Sequence, residues 1–140
     1  ISLLFFELNE PQTAIAIKYL KSFIFKHQDN RKHIEIIFDV IRGHFNHKFE
    51  SLLLYFLDLN NDVEFFKQID WAGNPGVQMG DVNWGELHAT RWEKILAMVA
   101  NSEKVVETIA IKAFLKKRIQ SEYNRAEGER MRKFIMPSDF

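Results

Sequence analysis

The apolar residues of this chain recur every three to four positions, which predicts a succession of amphipathic helices. The clearest stripe has apolar residues at i, +3, +4, +7 and +11, namely Ile34, Ile37, Phe38, Ile41 and Phe45. Glu35, Asp39 and Arg42 occupy the opposite side of the same predicted helix. No segment shows a sustained alternation of period two, so we expect essentially no sheet.

Two further helices are predicted on either side of this stripe. Pro11 suits the first helical position, because its missing N–H would be unpaired there in any case, and the helix runs to about Lys26. Asn46 is a suitable cap for a helix that follows the stripe. That helix is apolar nearly all round, and we therefore expect it to be central and covered on several sides.

Capping patterns mark two more helix starts. Asn61 stands three positions before Glu64 and predicts a short helix over residues 63–70. Asn83 and Glu86 repeat the same spacing and predict the start of a longer helix.

A last long helix is predicted from about Glu103 past Tyr123. The sequence thus predicts one all-α domain over residues 1–140, with about six to seven helices. Short connections favour antiparallel hairpins, stacked as an α-solenoid-like bundle of the HEAT or TPR kind. The first residues, Ile1–Leu8, read as the last turns of a helix without a capped start, so we expect the chain to be a fragment of a longer protein.

Composition excludes several classes of function. The formal net charge is zero and there is no cysteine. Disulfides, thiol catalysis and thiolate metal sites are therefore excluded. The longest apolar run, Leu52–Leu57, is far shorter than the roughly 20 residues that span a bilayer. We expect a cytoplasmic protein without a membrane partner.

The segment from Trp71 to Asn83 is the one real interruption between helices. Its glycines lack the Gly-Lys-Ser/Thr of a phosphate-binding loop, so we interpret it as a surface connection that can serve recognition. Trp71 is the best single candidate for a contact residue, although packing against the helices explains it as well. The residues predicted to contact a partner are Trp71, Asn74, Gln78 and Asp81.

No catalytic, cofactor-binding or metal site is predicted. His44, His47 and Glu50 are close in sequence, but a zinc site needs three or four ligands and no partner cluster is evident. His27 and His33 flank a turn, where solvated side chains are expected. His88 lies on an otherwise apolar stripe and is expected at the edge of the core. We expect no enzyme activity in this chain.

The C-terminal part of the chain is rich in basic residues. Such a stripe can bind the phosphates of nucleic acid, and it can equally be a solvated helix face that pairs with acidic neighbours. The residues predicted for nucleic-acid contact are Lys116, Lys117 and Arg118.

Two runs resemble the C-terminal helical region of bacterial STAND-class NTPases. These are Phe49–Asp62 (FESLLLYFLDLNND) and Gly80–Trp92 (GDVNWGELHATRW). The resemblance implies a helical sensor that follows an effector and an ATP-binding module in the parent protein. No ATP-binding residue is carried over, because this chain contains no Walker motif.

These observations together predict a non-catalytic helical interaction or sensor module of a larger, ATP-binding signalling or defence protein. Its expected partners are the rest of its own parent chain and a protein trigger. A nucleic-acid-associated domain that uses the basic C-terminal helix is the first alternative. A small helical enzyme of unknown reaction is the second.

Overall fold

The computed structural model describes residues 10–42, 45–73 and 83–139, and the side chains among them from 11 to 131. These residues are helical apart from turns and short connections, which confirms the prediction of an all-α fold. None of the helices in these ranges combines the length and the apolar character that crossing a membrane requires. The helices are α1 (Glu10–Lys26), α2 (Arg31–Ile41), α3 (His47–Leu59), α4 (Val63–Lys67), α5 (Trp84–Ala100) and α6 (Ile109–Asp139).

Helix α2 follows α1 after a short turn and is fixed at its start by a side-chain cap. The Asn30 Oδ1 accepts a hydrogen bond from the His33 N–H at 3.2 Å. This satisfies one of the donors that the first helical turn leaves without a partner. The predicted stripe of this region is buried as expected, and its members are Ile34, Ile37, Phe38, Ile41 and Phe45.

Helix α3 is the centre of the fold. Its predicted cap is confirmed, because the Asn46 Oδ1 accepts from the backbone N–H groups of Lys48 and Phe49. The helix packs against α1, α2 and α5, in agreement with its nearly continuous apolar surface. At its end the Asn60 Nδ2 donates to the Gln28 carbonyl at 3.1 Å, so the ends of α1 and α3 lie side by side.

Helix α4 begins at Val63, as predicted, but it ends at Lys67, before the predicted Asp70, and its cap differs by one residue. The cap is Asp62 and not Asn61, since the Asp62 carboxylate accepts from the Glu64 N–H at 2.9 Å. The preceding turn is held by Asn60, whose Oδ1 accepts from the Asp62 N–H at 3.1 Å. Asn61 and Asp62 are both good capping residues, so the sequence alone does not show which of the two caps the helix.

Helices α5 and α6 form a long antiparallel hairpin. The start of α5 meets the far part of α6, where the Trp84 N–H donates to the Glu129 Oε2 at 3.1 Å. The end of α5 lies near the start of α6, and Trp92 and Phe114 pack edge to face at 6.1 Å. The predicted cap of α5 is confirmed, because the Asn83 Oδ1 accepts from the Glu86 N–H.

Helix α6 starts at Ile109, later than the predicted start near Glu103. Hydroxyl groups explain the difference. The Ser102 Oγ accepts from the Lys104 N–H at 3.2 Å, and the Thr108 Oγ1 donates back to the Lys104 carbonyl at 2.7 Å. Such local bonds compete with the helical ladder and hold this segment in turns.

Candidate functional site

A groove of the described chain lies between α2 and the segment that follows α4. Its volume is about 440 Å³, which is within the range of ligand-binding clefts. We call it the α2 groove, and it is lined by Arg31, Lys32, Glu35, Ile36, Asp39, Arg42, Asp70 and Gly73. Charged side chains line most of it, so it suits a polar partner surface better than an apolar ligand.

Arg42 forms the buried wall of the α2 groove. Its Nη2 donates to the Asp70 carbonyl at 2.6 Å and its Nε donates to the Trp71 carbonyl at 3.1 Å. Its Nη1 donates to the Asp39 Oδ1 at 2.7 Å. Carbonyls that follow a helix end lack helical partners, and one guanidinium satisfies two of them here. The segment after α4 is therefore fixed to α2.

Gly73 closes the same turn and has no room for a side chain. Its φ of +71° lies in the left-handed region, which favours glycine. A Cβ built on this residue would lie 2.1 Å from the Arg42 Nη1. The Gly73 N–H donates to the Asp70 Oδ1 at 3.1 Å, which completes the turn.

A second arginine holds this segment from α5. The Arg91 Nη1 donates to the Ala72 carbonyl at 3.0 Å, and the guanidinium lies 5.6 Å from the centre of the Phe45 ring. Burial lowers the pKa of Arg91, and the nearby charge of Arg42 lowers it further, while Asp70 opposes both effects. Helices α2 and α5 therefore hold residues 70–73 from two directions.

Trp71 is enclosed by the core, which corrects its interpretation as a partner-contacting residue. None of its surface is exposed, and its ring packs against Phe38 and Phe66 at 4.8 Å each. Its indole Nε1 donates to the Phe66 carbonyl at 2.9 Å, so the polar atom is satisfied internally. The other predicted contact residues of this region, Asn74, Gln78 and Asp81, lie outside the described residues.

Two of the residues considered for a metal site, His47 and Glu50, lie among the described residues. His47 is exposed, and the Glu50 Oε1 accepts from the Asn101 Nδ2 at 3.1 Å, while His44 lies outside the described residues. Where the structure describes side chains, no three His, Asp or Glu residues converge on a point that could hold a metal ion. Glu50 links α3 to the end of α5 instead.

The three basic residues predicted for nucleic-acid contact differ in their surroundings. Arg118 forms an ion pair with Glu122 at 3.1 Å and lies over the Trp92 ring at 5.6 Å. Lys116 and Lys117 are exposed, and no carboxylate of the described residues is within ion-pair distance of either. Arg118 is therefore part of the α5–α6 contact, whereas the two lysines are available to a partner.

A buried charge cluster between α5 and α6 is the feature that the sequence analysis missed. Glu122 is only 4% exposed, and its carboxylate lies near Arg118, Arg125 and His88. Its Oε2 is 3.5 Å from the Arg125 Nη1 and 3.7 Å from the His88 Nδ1. The i, i+3 and i+4 spacing of 118, 122 and 125 was the available signal.

Two atoms of this cluster lack a hydrogen-bond partner among the described residues: the Glu122 Oε2 and the His88 Nε2. His88 lies at the edge of the core, as predicted, with its ring near Trp84 at 6.4 Å. Buried carboxylates without full hydrogen bonding are costly unless charges surround them. The two arginines surround the Glu122 carboxylate from α6 itself, and His88 approaches it from α5.

His27 and His33 are paired, which corrects their interpretation as solvated side chains. Both are half-buried, and their Nδ1 atoms are 3.0 Å apart. The His27 ring also packs against Phe23, with 4.3 Å between the ring centres. One ring must donate and the other accept in this bond, so the pair joins the end of α1 to the start of α2.

An apolar surface is exposed on α1. Ile15, Tyr19 and Phe23 are four residues apart and share one helix face, which we call the α1 outer face. Tyr19 is 74% exposed, the highest value among the three. Phe25 on α1 and Ile36 on the α2 groove are exposed as well. Exposed apolar patches of this kind mark contact surfaces.

Comparison of the chain with protein-family models, with curated proteins and with solved structures gave no match in any of the three.

Proposed function

We propose that this chain is a non-catalytic helical interaction module that binds a protein through the α1 outer face. The observation that carries the proposal is the exposure of Ile15, Tyr19 and Phe23 on one side of a regular helix. Aromatic and aliphatic side chains at four-residue spacing are the usual anchors of a helix-mediated contact. Burying them against a partner removes apolar surface from water, which favours association.

The neighbouring α2 groove supports the same role. Ile36 offers a 61% exposed apolar side chain, and Arg31 with Glu35 forms an exposed ion pair at 3.7 Å. Lys32 has no carboxylate within ion-pair distance among the described residues. An apolar centre with charged residues around it matches the anatomy of protein interfaces.

A narrower proposal concerns the parent protein. The resemblance of residues 49–62 and 80–92 to STAND-class NTPases supports a sensor region of a bacterial, cytoplasmic ATP-binding protein that responds to a protein trigger. The open reading frame of the natural gene that encodes this chain tests the proposal directly. A strand followed by Gly-x-x-x-x-Gly-Lys-Ser/Thr in the same frame would support it, and a frame without that motif would overturn it.

Site-specific photocrosslinking in the native host tests the interaction role. A photoreactive amino acid replaces Tyr19, and a matched variant carries it at Asn124, an exposed position on α6. We expect a discrete adduct from position 19 that is lost when Ile15→Glu is added. The same adduct pattern from both positions, or a pattern insensitive to Ile15→Glu, would contradict the proposal.

Nucleic-acid binding is the second candidate function, favoured by the exposed Lys116 and Lys117, which have no ion-pair partner among the described residues. It requires an affinity for oligonucleotides that falls steeply with salt, because phosphate contacts release counterions. Titration of a labelled oligonucleotide at two salt concentrations tests it, with the double charge reversal of Lys116 and Lys117 as the informative variant. Unchanged binding by that variant would exclude these lysines as the contact.

A further inference from the structure

A second groove lies between α4 and the first turns of α6. Its volume is about 230 Å³, and it has an apolar floor between two lysines. We call it the α4–α6 groove, and it is lined by Val63, Lys67, Ala110, Ala113, Phe114 and Lys117. It is separate from the α2 groove, since the two share no residue.

The apolar floor continues beyond the groove towards the preceding turn. Val106 is 76% exposed and stands four residues before Ala110, and Ile109 is 58% exposed and stands four residues before Ala113. The helical part of this face, from Ile109 to Lys117, is about 12 Å long, a little over two turns of a helix. An apolar strip of this length matches the i, i+4 and i+7 anchors of a docked amphipathic helix.

Two lysines line this groove, Lys67 and Lys117, and they differ in their surroundings. No carboxylate of the described residues lies within ion-pair distance of Lys117. Lys67 is paired with the exposed Glu64 at 3.3 Å. Lys112 and Lys116, also on α6, likewise have no carboxylate within ion-pair distance among the described residues. The groove is therefore a positive surface that a carboxylate-bearing partner complements.

Phe114 indicates which kind of acidic partner fits. The Lys67 Nζ lies over its ring, 5.8 Å from the centre, and the ring forms edge-to-face pairs with Phe66 and Trp92. A nucleic-acid base needs a free aromatic face for stacking, and this ring is already engaged. The exposed aliphatic side chains of the groove favour a peptide over a nucleic acid.

We propose that the α4–α6 groove binds an acidic amphipathic helix of a partner protein. Apolar residues of that helix pack on Ala110, Ala113 and Phe114, and its Asp or Glu side chains pair with Lys67 and Lys117. The proposal rests on the proposed function in assigning a binding role to the chain, and it adds a second surface and the chemistry of its partner.

Selection from a display library of random helical peptides against the purified chain provides the test. We expect enriched peptides to carry Asp and Glu on either side of an apolar stripe. Their affinity, measured by fluorescence polarisation, should fall at least tenfold with Ala113→Arg, which fills the groove, and with Lys117→Glu. Lys18→Glu, the same charge change on α1, should leave the affinity unchanged.

Several results of these experiments would contradict the proposed binding of an acidic helix to the α4–α6 groove. Enrichment of neutral or basic peptides, no enrichment at all, or acidic peptides insensitive to both groove variants would overturn the proposal. Binding of an oligonucleotide that Lys117→Glu abolishes, without acidic peptide binding, would assign the groove to nucleic acid. Circular dichroism checks the folding of Ala113→Arg, and Ala110→Arg is a second groove variant. A Tyr19 adduct that persists while groove binding fails would remove this inference and leave the proposed function.

Discussion

Gly85 lies directly against the backbone of Ala126. A Cβ built on Gly85 would be 2.5 Å from the Ala126 nitrogen and 2.6 Å from the Glu122 carbonyl oxygen. The obstructing atoms are backbone, so they cannot move aside as a flexible side chain would. The close approach of α5 and α6 at this point therefore depends on the absence of a side chain at residue 85.

Gly85→Ala should destabilise the chain by about 1–3 kcal/mol, because the extra methyl group forces the two helices apart. Gly128→Ala is the matched control, since a Cβ there meets nothing within 4 Å. At this exposed helical position we expect a gain of about 0.5–1 kcal/mol from the better helix former. Urea unfolding of both variants measures the difference, and equal effects would contradict the close helix contact.

Replacing Arg42 by methionine should cost on the order of 3 kcal/mol of unfolding free energy. The substitution keeps much of the apolar stem but leaves the carbonyls of Asp70 and Trp71 without their donor. Arg31→Met is the control on the same helix, and its ion pair with Glu35 is exposed, so a change below about 0.5 kcal/mol is expected. Thermal unfolding of the two variants compares them, and similar losses would show that Arg42 acts only as surface charge.

Glu122→Gln should destabilise the chain by about 1–2 kcal/mol, since it removes the negative charge that lies near Arg118, Arg125 and His88 together. The value is modest because both arginines are close to half exposed and water screens them. Glu127→Gln, on an exposed ion pair with Arg130, should have little effect. If the two variants unfold at the same denaturant concentration, the cluster makes no net contribution.

Tyr123 should ionise at a higher pH than an ordinary tyrosine. Its hydroxyl donates a hydrogen bond to the Glu93 carboxylate, which raises the pKa of the phenol because the ionised form could not donate. Spectrophotometric titration of the phenolate is the measurement, and Glu93→Gln should return the pKa towards its ordinary value. The bond is present at neutral pH and is lost in alkali as the phenol ionises, so an unchanged pKa in Glu93→Gln would exclude it.

The fold was predictable because the information that specifies its helices is local. The i, +3, +4 spacing from Ile34 to Phe45 identified a face that is in fact buried. Asn46 and Asn83 were recognisable as caps because each bonds to residues two or three positions away. The start of α6 was misplaced because the hydrogen bonds of Thr108 compete with helical ones, and composition alone does not reveal which set prevails.

The site could not be predicted in the same way, because its contacts join distant parts of the chain. Arg42 bonds to carbonyls 28 and 29 residues away, and nothing in the local pattern around either partner indicates the pairing. The sequence pattern places Trp71 in a loop. It is buried because folding brings Phe38 and Phe66 against its ring. In the sequence, Glu122 is one acidic residue within a basic helix. Only folding brings His88 of α5 next to its carboxylate.

The contact between α5 and α6 changes character along its length. Near the start of α6 it is apolar, with Ile111 and Leu115 fully buried, whereas beyond Arg118 it includes several ion pairs and hydrogen bonds between the two helices. Water and salt compete with the second kind of contact and not with the first. We therefore expect the backbone amides around Glu122 to exchange with deuterium sooner than those around Ile111, and to do so faster at high ionic strength. The two helices would then separate first at the end of the hairpin that contains Glu122, while the core around Leu115 remains folded.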